Sequence, residues 1–223
     1  MTVLPPVVAI IGGTGTLGKG LASRWAAAGY PLVIGSRDAA KAAAAAASIP
    51  TGASAVRGAD NLSAARAVDI VVLAVPFGNH LGILEEIRDA LPGKILVDTT
   101  VPLVPPKVAT VHLPPEGSVA IAAQRFLGPA VRVVSAFQNV AAHKLQTGQP
   151  IDCDVLVCSD DKAARETIIG LAEAIGLRGI DAGPLANSVA AEALTSILIG
   201  INRRYKVDGA GIRITGAFGI PSE

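Results

Sequence analysis

Continuous apolar runs alternate with segments of helical periodicity through the first half of the chain. Val7 to Gly12 has no charged or strongly polar position, as expected of a strand covered on both faces. Leu17 to Ala28 repeats its apolar residues at helical spacing, and Gly29 follows as a stop signal. Leu32 to Gly35 predicts a second buried strand, and alanine-rich Ala39 to Ser48 a packed helix. Ser54 to Val56 predicts a short strand, Ala59 to Ala67 a short helix, and Ile70 to Val75 a strand ended by Pro76. A helix over Leu81 to Ala90 and a strand over Ile95 to Val97 complete an alternation that argues for a doubly wound parallel sheet of the Rossmann type.

Past that point five prolines between Pro102 and Pro115 break regular structure. A helix over Val119 to Leu127 and a strand over Val131 to Val134 come next. From Ser135 the order changes to a polar turn, a strand over Asp154 to Val157 and a helix over Lys162 to Ala174. A strand over Arg178 to Ile180 and a long helix from Ser188 end the series. The pattern predicts residues 1–134 as a Rossmann domain and 135–223 as a small α/β part. A segment that short cannot form a large substrate domain, so the active site is expected in the cleft between the parts.

Composition narrows the possible functions. Half of the 223 residues are apolar and 17% are charged, enough for a core without disulfides or metals. A net charge of +1 offers no global field for nucleic acid or an anionic membrane. Cys153 and Cys158 sit at odd spacing in one expected strand, pointing to opposite faces. With His80, His112 and His143 scattered, no zinc spacing exists. No lysine or arginine precedes Lys19, unlike a signal peptide, and the apolar stretch Leu194 to Ile201 is shorter than a bilayer span. These features predict a cytoplasmic protein with neither membrane nor nucleic-acid partner.

Gly13-Thr14-Gly15-Thr16-Leu17-Gly18 matches G-x-G-x-x-G between an expected strand and an expected helix, the context in which the pattern binds a dinucleotide. Gly13 is assigned the tight turn, Gly15 the close approach of a pyrophosphate, and Gly18 the packing of helix on strand. The helix N-terminus adds free amides and positive dipole. An NAD-preferring unit places an acidic residue at the end of its second strand. Here the residues are Gly35-Ser36-Arg37, with Lys41 in the next helix turn. Two cations at a helix N-terminus are unfavourable unless an anion answers them, so Ser36, Arg37 and Lys41 point to the 2′-phosphate of NADP(H). Asp38 reads as a helix cap.

With these segments, Thr100-Val101-Pro102, Asp181 to Ser188 and Ala210-Gly211-Ile212-Arg213-Ile214-Thr215, the chain resembles the NADPH-dependent coenzyme F420 reductase family. The resemblance implies hydride transfer between NADP(H) and an 8-hydroxy-5-deazaflavin, coenzyme F420. It implies that Thr14, Gly15, Thr16, Leu17, Ser36, Arg37 and Lys41 hold NADP. Val75, Asn79, Val101 and Ala142 would line its ribose and nicotinamide end, and Gln138, Val140 and Ala210 would adjoin the deazaflavin. Gln138 departs from members that carry histidine there.

No Ser/His/Asp or Cys/His set is evident, so no general acid is assigned; hydride transfer asks for alignment of two ring systems above all. The three histidines read as surface or loop residues, with His80 the one placed to meet ligand. Arg203, Arg204 and Lys206 suit a helix C-terminus, or else contact the acidic tail of the deazaflavin. The helix from Val189 to Ile201 has Glu192 as its only charge, which suits burial, within one subunit or between two, and a homodimer is expected. Two rivals remain: another NADP-dependent reductase with a different acceptor, and a nonenzymatic NADP-binding redox sensor.

Overall fold

The computed structural model describes residues 4–50 and 55–216. Six parallel strands form one sheet in the order β3-β2-β1-β4-β5-β6, the doubly wound order that places a ligand crevice where the direction of winding reverses, between β1 and β4. The strands are β1 (Val8–Ile11), β2 (Leu32–Ser36), β3 (Val56–Asp60), β4 (Ile70–Leu73), β5 (Ile95–Asp98) and β6 (Arg132–Ser135). A separate pair, β7 (Asp154–Val157) and β8 (Arg178–Asp181), is also parallel.

Side-chain alternation divides the core. Val8, Ile10, Ile34, Ile70 and Val72 face helices α1 (Thr16–Ala27) and α2 (Ala39–Ala47), together with α7 (Lys162–Glu173). Ala9, Ile11, Val71 and Leu73 face α3 (Asn61–Arg66), α4 (His80–Ile87) and α5 (Val119–Leu127). The first cluster continues without a break into Val155, Val157, Ile168 and Leu171, so the part beyond Ser135 shares the core of the sheet. An antiparallel bridge reinforces this: Ser135 and Cys158 exchange backbone hydrogen bonds of 2.9 and 3.0 Å.

Trp25 on α1 anchors the join. It is fully buried, donates from Nε1 to the Leu171 carbonyl of α7 at 2.9 Å, and meets Phe137 edge to face with centroids 5.7 Å apart. Phe137 has φ of 70°, and the turn it begins closes with Val140 N–H donating to its carbonyl. A short helix α6 (Ala142–Leu145) then packs on α1, where Arg24 donates to the carbonyls of Leu145, Lys144 and Gln149.

Several boundaries shift from the expected ones for local reasons. The third strand runs to Asp60 and α3 starts only at Asn61, because the Asp60 side chain caps that helix by accepting from Ser63 N–H at 2.8 Å. Ser54, the expected start of the strand, lies outside the described residues. The helix expected over Leu81 to Ala90 starts at His80 and passes into a 3₁₀ turn over Arg88–Ala90. The long helix α8 (Ser188–Tyr205) extends well beyond the apolar stretch that was too short to span a bilayer. Among the described residues, Leu185–Tyr205 is the one segment long and apolar enough to cross a membrane by length and composition, with mean hydropathy 1.3. It nonetheless buries Ser188, Glu192 and Ser196 against the protein.

Trp25→Ala should cost about 3–5 kcal/mol of folding free energy in a denaturant titration. Trp25→Phe, which keeps most of the packing and loses the indole hydrogen bond, should cost about 1–2 kcal/mol.

Candidate functional site

The crevice at the reversal point is built on backbone geometry. Gly12 has φ of +83°, and a Cβ there would fall 2.3 Å from the Ala74 carbonyl oxygen, so β1 ends in direct contact with the end of β4. The tight turn therefore belongs to Gly12, whereas Gly13, assigned it from the sequence, has no positive φ and fits closely against Ile34. At Gly18 a Cβ would meet Gly12 O at 2.6 Å, which lets α1 sit directly on the turn. Gly15 is the N-cap of α1, and no side chain caps that helix, so its first-turn amides are free for an anion.

Two adjoining hollows share Gly15, Ala74, Val75 and Pro76 in their walls. One, about 170 Å³, is lined also by Gly12, Thr14, Ser36, Arg37, Asn61 and Asn79. The other, about 610 Å³, is lined also by Thr16, Leu17, Phe77, Gly78, Thr99, Thr100 and Val101, with Leu103, Pro105 and Val108. A third hollow of about 150 Å³ lies between Gln138, Asn139, Val140 and Ala141 on one side and Thr195, Leu198, Ile199, Asn202 and Ala210 on the other. A cavity of about 600 Å³ beside Arg125, Arg132 and Asp161 shares no lining residue with these three.

Beneath the crevice lies a group of buried ionisable side chains. His80 Nε2 and Asp98 Oδ2 are 2.6 Å apart and each residue is 1% exposed. Burial disfavours the imidazolium, but the neighbouring Asp98 carboxylate outweighs it, and the His80 pKa is raised. Asp98 Oδ1 accepts from Thr100 N–H at 3.0 Å, and its own carbonyl accepts from Gln138 Nε2 at 2.9 Å. Glu192, on α8, accepts from the Val119 and Ala120 amides at the start of α5 at 2.7 and 3.1 Å. Burial lifts its pKa to about 7 against the pull of those amides. His80 is thus a core residue at the head of α4, correcting its reading as a surface or loop histidine.

Relatives place these features in context. The family described as "NADP oxidoreductase coenzyme F420-dependent" matches residues 7–102. Proteins named F420-dependent NADP reductase align nearly end to end. That of Methanothermobacter thermautotrophicus is 44% identical over 93% of this chain and 94% of its own. That of Methanocaldococcus jannaschii is 42% identical over 93% and 97%. The chain belongs to the F420-dependent NADP reductase family. A solved structure, a putative F420-dependent NADP-reductase from Arthrobacter sp. FB24, superposes with a TM-score of 0.78 over 95% of this chain and 100% of its own, at 24% identity, and supports the fold.

Within this family member, the structure brings Thr14, Gly15, Ser36, Arg37, Val75 and Asn79 around the smaller hollow, and Gly15, Thr16, Leu17, Val75 and Val101 around the larger. Gln138, Val140 and Ala210 gather around the third. Lys41 and Ala142 line none of the three. Lys41 is exposed, with Nζ 4.0 Å from Asp38, and Asp38 caps α2 by accepting from the Ala40 and Lys41 amides. Ala142 opens α6, where its carbonyl lies against Gly20 of α1. The closing segment is held by Asp154, whose carboxylate accepts from Arg178 Nε at 2.8 Å and from Ile214 N–H at 2.6 Å. Gly211 fits there because a Cβ would lie 2.7 Å from Cys153 Sγ.

Sequence reasoning assigned no role to Asn61, Asp98 or Thr100. Asn61 Nδ2 donates to Glu86 at 3.1 Å, which turns its carbonyl oxygen the other way. That oxygen and the Thr100 hydroxyl are buried without a partner, each on a residue lining a hollow. Open helix amides, a cationic rim and orphaned polar atoms fit a phosphate-bearing, hydroxyl-rich ligand such as NADP(H). The one available signal was Asp98 itself, an acid closing an otherwise apolar buried strand.

A carboxyl whose folded-state pKa exceeds its unfolded value leaves the fold unpenalised below about pH 4.5. Between there and about pH 7 the unfolded chain ionises while the folded chain keeps its proton, so stability falls as pH rises. For Glu192, a rise from 4.5 to about 7 corresponds to on the order of 3 kcal/mol. Denaturant titrations from about pH 4.5 to 7.5 should show wild type losing stability across that window. Glu192→Gln should flatten the slope, whatever its effect at the acidic end.

Proposed function

We propose that this chain transfers a hydride between NADP(H) and the deazaflavin coenzyme F420, using the crevice between β1 and β4 and its extension toward α8. Family membership carries the reaction and both cofactors. It is an oxidoreductase. The single observation that carries the reading of the site is the pair of adjoining hollows. They meet at Gly15 and Val75, one rimmed by Ser36 and Arg37 and the other walled by apolar residues.

In this reading the free amides of α1 take the pyrophosphate, and Ser36 and Arg37 take the 2′-phosphate, with Lys41 swinging in from its exposed position beside Asp38. Val75 and Asn79 hold the ribose end. When bound, the cofactors would supply the redox chemistry: a hydride would pass from nicotinamide C4 of NADPH to C5 of the deazaflavin, which would also take up a proton from solvent, leaving NADP+. Thr16, Leu17, Val101 and Leu103 exclude water from the place where the rings meet. Ala142 supports the crevice from the start of α6. Gln138 and Val140 border the deazaflavin on one side and Ala210 on the other. Gln138 contributes through its inward hydrogen bonds to the Asp98 carbonyl and Ser135, which fix the turn that follows β6. Residues 1–134 act as the NADP-binding domain and 135–223 as the part completing the cleft.

The chain is read as a cytoplasmic homodimer that engages neither membrane nor nucleic acid. Both cysteines are free and buried, and burial pushes the Cys158 thiol up to about 11. Ile197 is 48% exposed and Tyr205 68% exposed on α8, giving an apolar face for a second copy. Light scattering should report twice the chain mass.

Fluorescence titration tests the phosphate reading. Wild type should bind NADPH more tightly than NADH. Arg37→Ala should weaken NADPH about 10–100-fold, the loss of a charge-assisted hydrogen bond of about 1.5–3 kcal/mol, and leave NADH nearly unchanged. Equal weakening of both cofactors would remove Arg37 from 2′-phosphate recognition. Mixing protein, NADPH and oxidised deazaflavin should bleach the deazaflavin's visible absorbance; persistence of the colour would refute the reaction.

A further inference from the structure

We propose that the buried His80–Asp98 pair is the positioning element of the hydride-transfer cavity, pinning the loop after β4 to the loop after β5 so that the two walls keep one separation. The inference rests on reading the larger hollow as the nicotinamide end. Asp98 is the last residue of β5, and the next three, Thr99, Thr100 and Val101, line that hollow. His80 is the first residue of α4, and Phe77 and Gly78, just before it, line the same hollow from the other loop. The 2.6 Å contact between His80 and Asp98 therefore joins both walls from behind.

The Asp98 carboxylate is used on both oxygens. Oδ2 meets His80, and Oδ1 accepts from Thr100 N–H, which fixes the course of the chain into Val101. Thr99 is held from the β4 side, with its N–H and hydroxyl both donating to the Leu73 carbonyl at 3.2 and 2.9 Å. The loop after β5 is thus tied to β4 and to α4 at once. The charged groups coupled to His80 are Asp98 from β5 and Glu192 from α8, and both are acidic. Burying such ions is a poor route to stability, because desolvation offsets most of the attraction. A directional bond between two loops, in contrast, sets a distance that apolar packing alone would leave softer.

The test uses single-turnover hydride transfer from NADPH, followed through the deazaflavin's absorbance. His80→Phe keeps the ring's bulk and removes the donor. It should bind NADPH within about threefold of wild type yet transfer hydride about 10–100-fold more slowly, as expected when reacting atoms are misplaced by a fraction of an ångström to 1 Å. With NADPH deuterated at C4, the primary isotope effect should become more temperature-dependent in the variant, a sign of a poorly held donor–acceptor distance. His80→Gln, which restores an N–H donor, should recover most of the rate. Asp98→Asn, of unchanged size, should repeat the slowing. Wild-type hydride transfer by His80→Phe overturns the proposal. So does a joint loss of rate, NADPH affinity and melting temperature that His80→Gln does not repair, because that describes a merely structural pair. Val101→Trp separates the two levels of the reading. If filling the hollow leaves hydride transfer intact, the cavity assignment itself fails; if it abolishes transfer while His80→Phe is normal, only the positioning role fails.

Discussion

The crevice between β1 and β4 depends on one steric fact: the backbone of Gly12 lies against the carbonyl of Ala74 with no room for a side chain. That contact lets β1 and β4 end side by side at the point where the sheet reverses its winding. Because α1 rests on the same turn through Gly18, the helix amides open directly above the crevice. Ser36 and Arg37 reach it because β2 runs in parallel register beside β1 and ends at the same level. The crevice takes its shape from how closely three segments of backbone approach, with Ser36 and Arg37 added at the rim.

The second constraint is electrostatic and sits deeper. Glu192 places its carboxyl oxygens on the first amides of α5 and accepts from both. It joins the last long helix to α5 without an exposed salt bridge. Ser188, one turn earlier, meets Ser118, the N-cap of α5, at 2.7 Å. The hollow bounded by Gln138 and Ala210 has α8 as one wall, so its shape is inherited from these buried polar contacts. A helix that reads as nearly all apolar is therefore located by the few polar residues it carries, and its remaining apolar side stays available.

Most of the sheet was legible because buried parallel strands are written as unbroken apolar runs. The G-x-G-x-x-G turn was legible because it fell between a run and a helical period. The division of labour among the glycines was not: positive φ at Gly12 arises from contact with Ala74, sixty-odd residues away, and no local pattern announces it. Asp60 blurred the start of α3 by serving as both strand end and cap. The link between His80 and Asp98 escaped because each looks ordinary alone, a histidine after a loop and an acid after three apolar residues. Their pairing depends on β4 and β5 being neighbours, a long-range fact. The acid that closes β5 could still have been questioned, since an unpaired carboxylate there would be costly.

Hydride transfer between two bound cofactors places unusual weight on geometry. When both reacting rings are supplied by cofactors, the polypeptide has few ways to change the barrier, and fixing the distance between the rings is among the largest. Surface loops are poor at this, since their side chains compete with water and their backbones shift easily. The crevice answers that difficulty by anchoring its loops from the dry side: Leu73 holds Thr99, Asp98 holds Thr100, and His80 holds Asp98. Polar atoms that would be expensive to bury singly are affordable as a connected chain, because each satisfies the next. The Thr100 hydroxyl is left without a partner at the end of that chain, on a residue that lines the larger hollow.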